Sequence, residues 1–80
     1  MSMTTVRFFV RLWFNPEDGR WMRGTYGLHC GNPVEAKIDG QWVQTRIEHS
    51  SFSEHSNGWY LVTHPNLALD GLQVVSEASV

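Results

Sequence analysis

The dipeptide Asp39-Gly40 separates two stretches of alternating polarity and restricts the fold of this chain more than any other feature. A two-residue Asp-Gly connection suits a type I′ turn, whose twist matches that of paired strands and whose central residues both need positive φ. It joins Val34-Glu-Ala-Lys-Ile38 to Gln41-Trp-Val-Gln-Thr-Arg-Ile-Glu48. Such a turn sets Ile38 opposite Gln41, Ala36 opposite Val43 and Val34 opposite Thr45. Val34, Ala36, Ile38, Val43, Thr45 and Ile47 then share one face. Glu35, Lys37, Trp42, Gln44, Arg46 and Glu48 share the other. A slip of one residue would turn the whole apolar set to water, so the pattern holds its own register.

The rest of the chain reads the same way. From Val6 to Phe14 a period of two puts Val6, Phe8, Val10, Leu12 and Phe14 on one face and Arg7, Phe9, Arg11 and Trp13 on the other. β-branched and aromatic residues favour a strand there over a helix. Asn15-Pro-Glu-Asp-Gly19 stacks turn formers, so Arg20-Trp-Met-Arg23 is expected to return as the partner strand of an N-terminal hairpin over residues 6–23. Gly24, Gly27, Gly31 and Pro33 mark a connecting loop, and the serine-rich stretch 49–58 reads as a long, mobile one. Gly58-Trp-Tyr-Leu-Val-Thr63 is a strand with Trp59 and Leu61 on one side and Tyr60 and Val62 on the other. Residues 67–71 have room for one helical or 3-10 turn, and Leu72-Gln-Val-Val75 for a last short strand. No stretch of ten residues carries a helical apolar stripe, and no repeat is present.

Eighty residues make a single domain over 1–80, too short for two cores. A domain this small buries only about 60% of the surface its unfolded chain exposes. Cys30 is the only cysteine, so no internal disulfide supplements the core, and thiolate zinc sites need more sulfur. Four Trp, four Phe and two Tyr must supply the apolar area instead. A lone free thiol suits the reducing cytoplasm, and neither a signal-peptide pattern nor an apolar run of membrane-spanning length is seen. The net charge of −2 gives no bulk attraction to nucleic acid. The charge is uneven, however: four arginines oppose two carboxylates over residues 1–23, whereas Lys37 and Arg46 oppose six carboxylates in the remainder.

From Leu28 to Val75 the order of signals resembles the SH3-like small barrel in the Tudor and KOW style. The residues that carry the resemblance are a Gly-x-x-Val-Glu opening (Gly31 to Glu35), the Asp-Gly hairpin followed by Trp42, the Thr-Arg-Ile-Glu strand (Thr45 to Glu48), the Trp-Tyr-Leu-Val strand, and a Leu-x-Gly-Leu-x-Val close (Leu69 to Val74). More narrowly, the region 28–75 resembles an uncharacterised family of small bacterial SH3-like domains found in Gram-positive genomes and mobile elements. The resemblance implies an all-β fold, an SH3-like, strongly bent antiparallel sheet or small barrel of five or six strands with at most one short helical turn. It implies little about function, because small barrels host unrelated activities. The aromatic cage of a methyl-lysine reader does not map onto this sequence.

Arg7, Phe9, Arg11 and Trp13 form an unusual strand face, since guanidinium and aromatic groups stand where a solvated strand carries Thr, Lys or Glu. Alternating cations and rings can track phosphates and stack on bases. The same residue types dominate protein-interface hot spots. A third reading makes Phe9 and Trp13 a second layer of core beneath a loop, with the arginines reaching outward past them. Trp42 is expected to point outward between Lys37 and Arg46, as a cross-strand cation–π cluster or as an anchor for a partner's pocket. Glu35 and Glu48 give it a mixed-charge rim, which suits a protein better than a phosphate backbone.

Chemistry is harder to place. His29 and Cys30 are adjacent, so they would diverge in a strand, and His49, His55 and His64 lack the spacing of a metal site. A thiol nucleophile needs a base and an oxyanion donor together, and Glu17-Asp18 sits in a turn. Catalytic, cofactor-binding and metal-binding residues are therefore all expected to be absent. The leading expectation is a non-catalytic protein-binding module using Arg7, Phe9, Arg11, Trp13, Trp42 and Arg46. In one form it is a small phage or mobile-element inhibitor or adaptor acting on a host protein complex. The alternatives are a nucleic-acid-binding module using the same basic-aromatic face, and a homo-oligomeric structural protein whose first strand is a sheet edge. No membrane partner is expected.

Overall fold

The computed structural model describes residues 4–53 and 55–79. The fold is all-β. Eight strands follow in order: β1 (Thr5–Arg11), β2 (Trp13–Asn15), β3 (Arg20–Arg23), β4 (Tyr26–Gly27), β5 (Pro33–Ile38), β6 (Gln41–His49), β7 (Trp59–Leu61) and β8 (Gln73–Ser79). They form two antiparallel sheets, one of five strands in the order β1-β8-β5-β6-β7 and one of three in the order β2-β3-β4. One 3-10 turn, Ser56–Gly58, precedes β7.

The central hairpin has the register that its turn chemistry dictates. Ile38 faces Gln41, Ala36 faces Val43 and Val34 faces Thr45. Asp39 and Gly40 take φ of 52° and 79°, the two positive values a type I′ turn needs. Val34, Ala36, Ile38 and Ile47 are buried, and Val43 packs against them from the margin. β7 continues the sheet, pairing Leu61 with Ile47 and Trp59 with His49. The core is completed by Leu12, Trp21, Leu28, Trp59, Leu61, Leu69 and Val74. No polar or charged side chain is buried among the described residues.

The first segment departs from its expected partner. Residues 6–14 do not form one strand, and 6–23 is not one hairpin. β1 runs antiparallel to β8 instead, from Thr5 opposite Ser79 to Arg11 opposite Gln73. The chain then bends at Leu12, whose side chain is 1% exposed. Its N–H donates to the Leu72 carbonyl at 2.9 Å, and its own carbonyl accepts from Gly71 N–H at 3.0 Å. Only beyond this bend does the Asn-Pro-Glu-Asp-Gly turn act as expected, with Trp13 opposite Met22 and Asn15 opposite Arg20. Alternation defines the faces of a strand but not which edge it pairs with, and here the edge comes from the far end of the chain. The last strand is correspondingly longer than residues 72–75.

The serine-rich loop is pinned at its far end. Trp21 Nε1 donates to the Ser56 carbonyl at 2.9 Å, and Leu69 N–H donates to Ser56 Oγ at 3.0 Å. Trp59 Nε1 likewise donates to the Gly19 carbonyl at 3.0 Å. Each buried indole thus satisfies its N–H on a loop, and one contact fixes both the core and the connection above it. Residues 67–71 form turns rather than a helix, with Leu69 filling the core.

Candidate functional site

Alternation along β1 sends Arg7, Phe9 and Arg11 to the face opposite Val10, and the ladder sets them across from Glu77, Val75 and Gln73. On the same sheet Lys37 lies across from Trp42, Glu35 from Gln44 and Pro33 from Arg46. The predicted outer faces of β1 and of the central hairpin are therefore one surface, joined through β8.

Its centre is aromatic. The rings of Phe9 and Trp42 stack with centroids 5.0 Å apart and planes inclined by 25°, reaching over the two strands between them. Phe9 remains 60% exposed and Trp42 38% exposed. Lys37 Nζ sits 5.9 Å from the Trp42 ring centroid, the cation–π contact the sequence suggests. This pair is neither covered core nor a set of isolated side chains.

The charges around it are largely spent within the chain. The Arg7 guanidinium pairs with Glu35, and its Nε lies 3.5 Å from a Glu77 carboxylate oxygen. Arg46 Nε donates to Glu48 at 3.2 Å, and it is Lys37 whose ammonium lies over the Trp42 ring. Arg11 Nη1 donates to the Gly71 carbonyl at 2.9 Å, tying β1 to the turn before β8. Trp13 lies past the bend, in the three-stranded sheet, with Nε1 donating to the Gly24 carbonyl at 3.2 Å. It is exposed, but the structure does not bring it to the Phe9–Trp42 pair.

Sequence reasoning missed two features. Arg23 and Tyr26 of the smaller sheet face Arg7, Glu35, Gln44 and Glu77 across an open groove of about 750 Å³. Arg23 Nη1 donates to the Pro33 carbonyl at 2.9 Å and packs 5.9 Å from the Tyr26 ring centroid, which holds one wall. Tyr26 lies in a stretch between glycines that reads as a loop, and nothing local marks it as a wall. The second feature is that Val6 and Phe8, on the side of β1 expected to face the core, are 42% and 41% exposed. Apolar cover begins only at Val10.

The histidines are used locally. His49 packs edge-on to Trp59 at 5.0 Å, His29 meets Tyr26 at 6.0 Å, and His64 Nδ1 shares a 2.9 Å hydrogen bond with Thr63 Oγ1. Cys30 is exposed. Among the described residues no three His, Cys, Asp or Glu side chains come together as a metal site would require. None of the described helices is long and apolar enough to cross a membrane.

Residues 10–75 match a family described as a domain of unknown function, DUF5348. The match takes in residues 10–27, ahead of the Leu28–Val75 region, and leaves Arg7, Phe9 and Glu77 outside. A crystal structure of a protein from Ruminococcus gnavus is similar at 35% identity, with a TM-score of 0.65, over 84% of this chain and 97% of that one. No curated protein matches.

Proposed function

The chain belongs to the DUF5348 family, and from that premise and the geometry of its outer face we propose that it is a non-catalytic protein-binding module. The observation that carries this reading is the exposed Phe9–Trp42 stack, set in a rim of paired opposite charges. A stacked pair is already ordered, so docking on it costs little side-chain entropy. Large aromatic area inside a polar rim is the anatomy of an interface hot spot. Nucleic acid fits the same face less well, because Arg7 and Arg46 are already neutralised by Glu35, Glu77 and Glu48.

The finer reading is part of the same proposal. The chain is a variant of the SH3-like small barrel, supported by its short antiparallel strands, its central Asp-Gly hairpin and its single 3-10 turn. It acts in the cytoplasm, where an exposed free Cys30 is compatible with reducing conditions. Its partner is a host complex that it inhibits or bridges from a phage or mobile element, a role for which small size and a rigid face are suited.

The test is quantitative capture. The tagged protein, with Phe9→Ala and Trp42→Ala beside it, is bound to bacterial extract, and any stoichiometric partner is then titrated in pure form. Loss of about 2 kcal/mol or more of binding in each variant, roughly a 30-fold weaker Kd, is expected. Unchanged affinity in both removes the stack from the interface. A steeply salt-dependent shift of single-stranded DNA, lost in the same variants, would replace the reading with nucleic-acid binding.

A further inference from the structure

β1 is the edge of the five-stranded sheet and pairs only with β8 among the described residues. Which of its backbone groups remain free follows from the ladder. Leu12 N–H donates to the Leu72 carbonyl, one rung beyond the Arg11–Gln73 pair. Hydrogen-bonded and non-bonded pairs alternate in an antiparallel ladder. Val10, Phe8 and Val6 therefore exchange bonds with β8, while the N–H and C=O groups of Thr5, Arg7, Phe9 and Arg11 point to the open side. This edge is seven residues long and carries no proline or bulge, and its two charges, Arg7 and Arg11, are held within the chain by Glu35, Glu77 and the Gly71 carbonyl.

Both faces of the strand are also uncovered. Phe9 is 60% exposed on one side, and Val6 and Phe8 are 42% and 41% exposed on the other. A partner lying on either face would cover one set and leave the other wet. A strand added alongside covers both at once.

We propose that the open edge of β1 pairs antiparallel with β1 of a second copy of this chain, about a two-fold axis at Phe8. The register follows from two requirements, once all seven residues of β1 are paired. Residues with free backbone groups must bond one another, so odd positions face odd positions. Like charges must not stand directly opposite. With the axis at Phe8, Arg7 faces the partner's Phe9 and Thr5 faces the partner's Arg11 on one side of the sheet. On the other side, Val6 faces the partner's Val10, and the two Phe8 rings meet. Placing the axis at Phe9 instead sets Arg7 opposite the partner's Arg11. Arg7 already shares Glu35 and Glu77, so bringing it over the partner's ring adds no unbalanced charge. The two sheets become one of ten strands, and the two Phe9–Trp42 stacks lie on the same side of it.

The experiment is disulfide mapping in a Cys30→Ser background, with mass measured by light scattering from micromolar to millimolar concentration. Without added cysteine the protein should become dimeric as concentration rises. Phe8→Cys should give a covalent dimer on mild oxidation, because the two Cα atoms of a non-hydrogen-bonded pair lie about 4.5 Å apart, within disulfide reach. Phe9→Cys should cross-link poorly with itself, and efficiently when mixed with Arg7→Cys. Random collision makes the opposite prediction, since position 9 is the more exposed. Phe9→Pro removes an open-side N–H without breaking the β8 ladder, and should abolish the dimer, whereas Phe9→Ala, which loses the same ring but keeps that N–H, should still dimerise. A monomer at every concentration, or a Phe9→Cys dimer as abundant as that of Phe8→Cys, overturns the proposal. Trp42→Ala separates this from the binding-module reading, because it should leave the dimer intact.

Discussion

Removing Phe9 and Trp42 singly and together measures whether the aromatic pair is a real contact and how much of it belongs to stability. Phe9 is 60% exposed, so two-fifths of its surface is covered. Full burial of a large apolar side chain is worth about 1.5–3 kcal/mol, and that fraction of it gives a cost of about 1 kcal/mol for Phe9→Ala. Trp42 is 38% exposed and larger, and it also holds Lys37 at 5.9 Å. Its replacement by alanine should cost about 2 kcal/mol, with the cation–π contact supplying about 0.5 kcal/mol of that. The double variant should cost less than the sum, because the stack can be lost only once. An offset-stacked pair is worth about 0.5–1.5 kcal/mol beyond its area; each single variant loses this in addition to its buried area and the double variant loses it once, so a coupling of about 1 kcal/mol is expected. The Lys37 contribution cancels in the cycle. Urea unfolding at low protein concentration is the assay, with buried Trp21 and Trp59 as fluorescence reporters in all four proteins. Additivity within about 0.3 kcal/mol would mean that the rings do not meet. A loss of about 4 kcal/mol in Trp42→Ala alone would make it a core residue and end the interface reading.

Gly40→Val should destabilise by well over about 1 kcal/mol purely through the backbone, since φ is +79° and a Cβ there meets nothing within 4 Å. Gly58→Ala should cost about 2 kcal/mol or more, because φ is +90° and its Cβ would fall 2.8 Å from His49 Nε2 and 3.0 Å from the Ser50 carbonyl oxygen; a melting point unchanged from wild type would refute that geometry. Leu12→Ala, at the bend between the sheets, should cost about 2–5 kcal/mol by the same urea assay. Cys30→Ser should leave both the melting point and partner binding unchanged, and loss of binding in a folded protein would reveal a thiol function.

The central hairpin with its turn and faces, and the strand at Trp59–Leu61, were legible in the sequence, because each depends on neighbours within a few residues, whereas β4 lies in a stretch that reads as loop. Asp39-Gly40 can form few turns other than the one observed, and a single turn fixes six rungs of register behind it. Trp59 and Leu61 share one side of their strand for the same local reason, and the packed chain buries both. The partner of β1 was not legible. Val6 to Phe14 reads as one strand, and nothing within it tells the chain to bend at Leu12 or to pair with residues 73–79. That choice belongs to tertiary structure, where Leu12 gains a fully covered site and β8 supplies an edge. The candidate surface divides along the same line. Outward aromatics and arginines could be read from the period of two, but charge pairing could not. Arg7 meets Glu35 and Glu77 only because three strands distant in sequence lie side by side. Exposure of Val6 and Phe8 was decided the same way. Alternation says which side chains share a face, and only the packed chain determines whether anything lies over it.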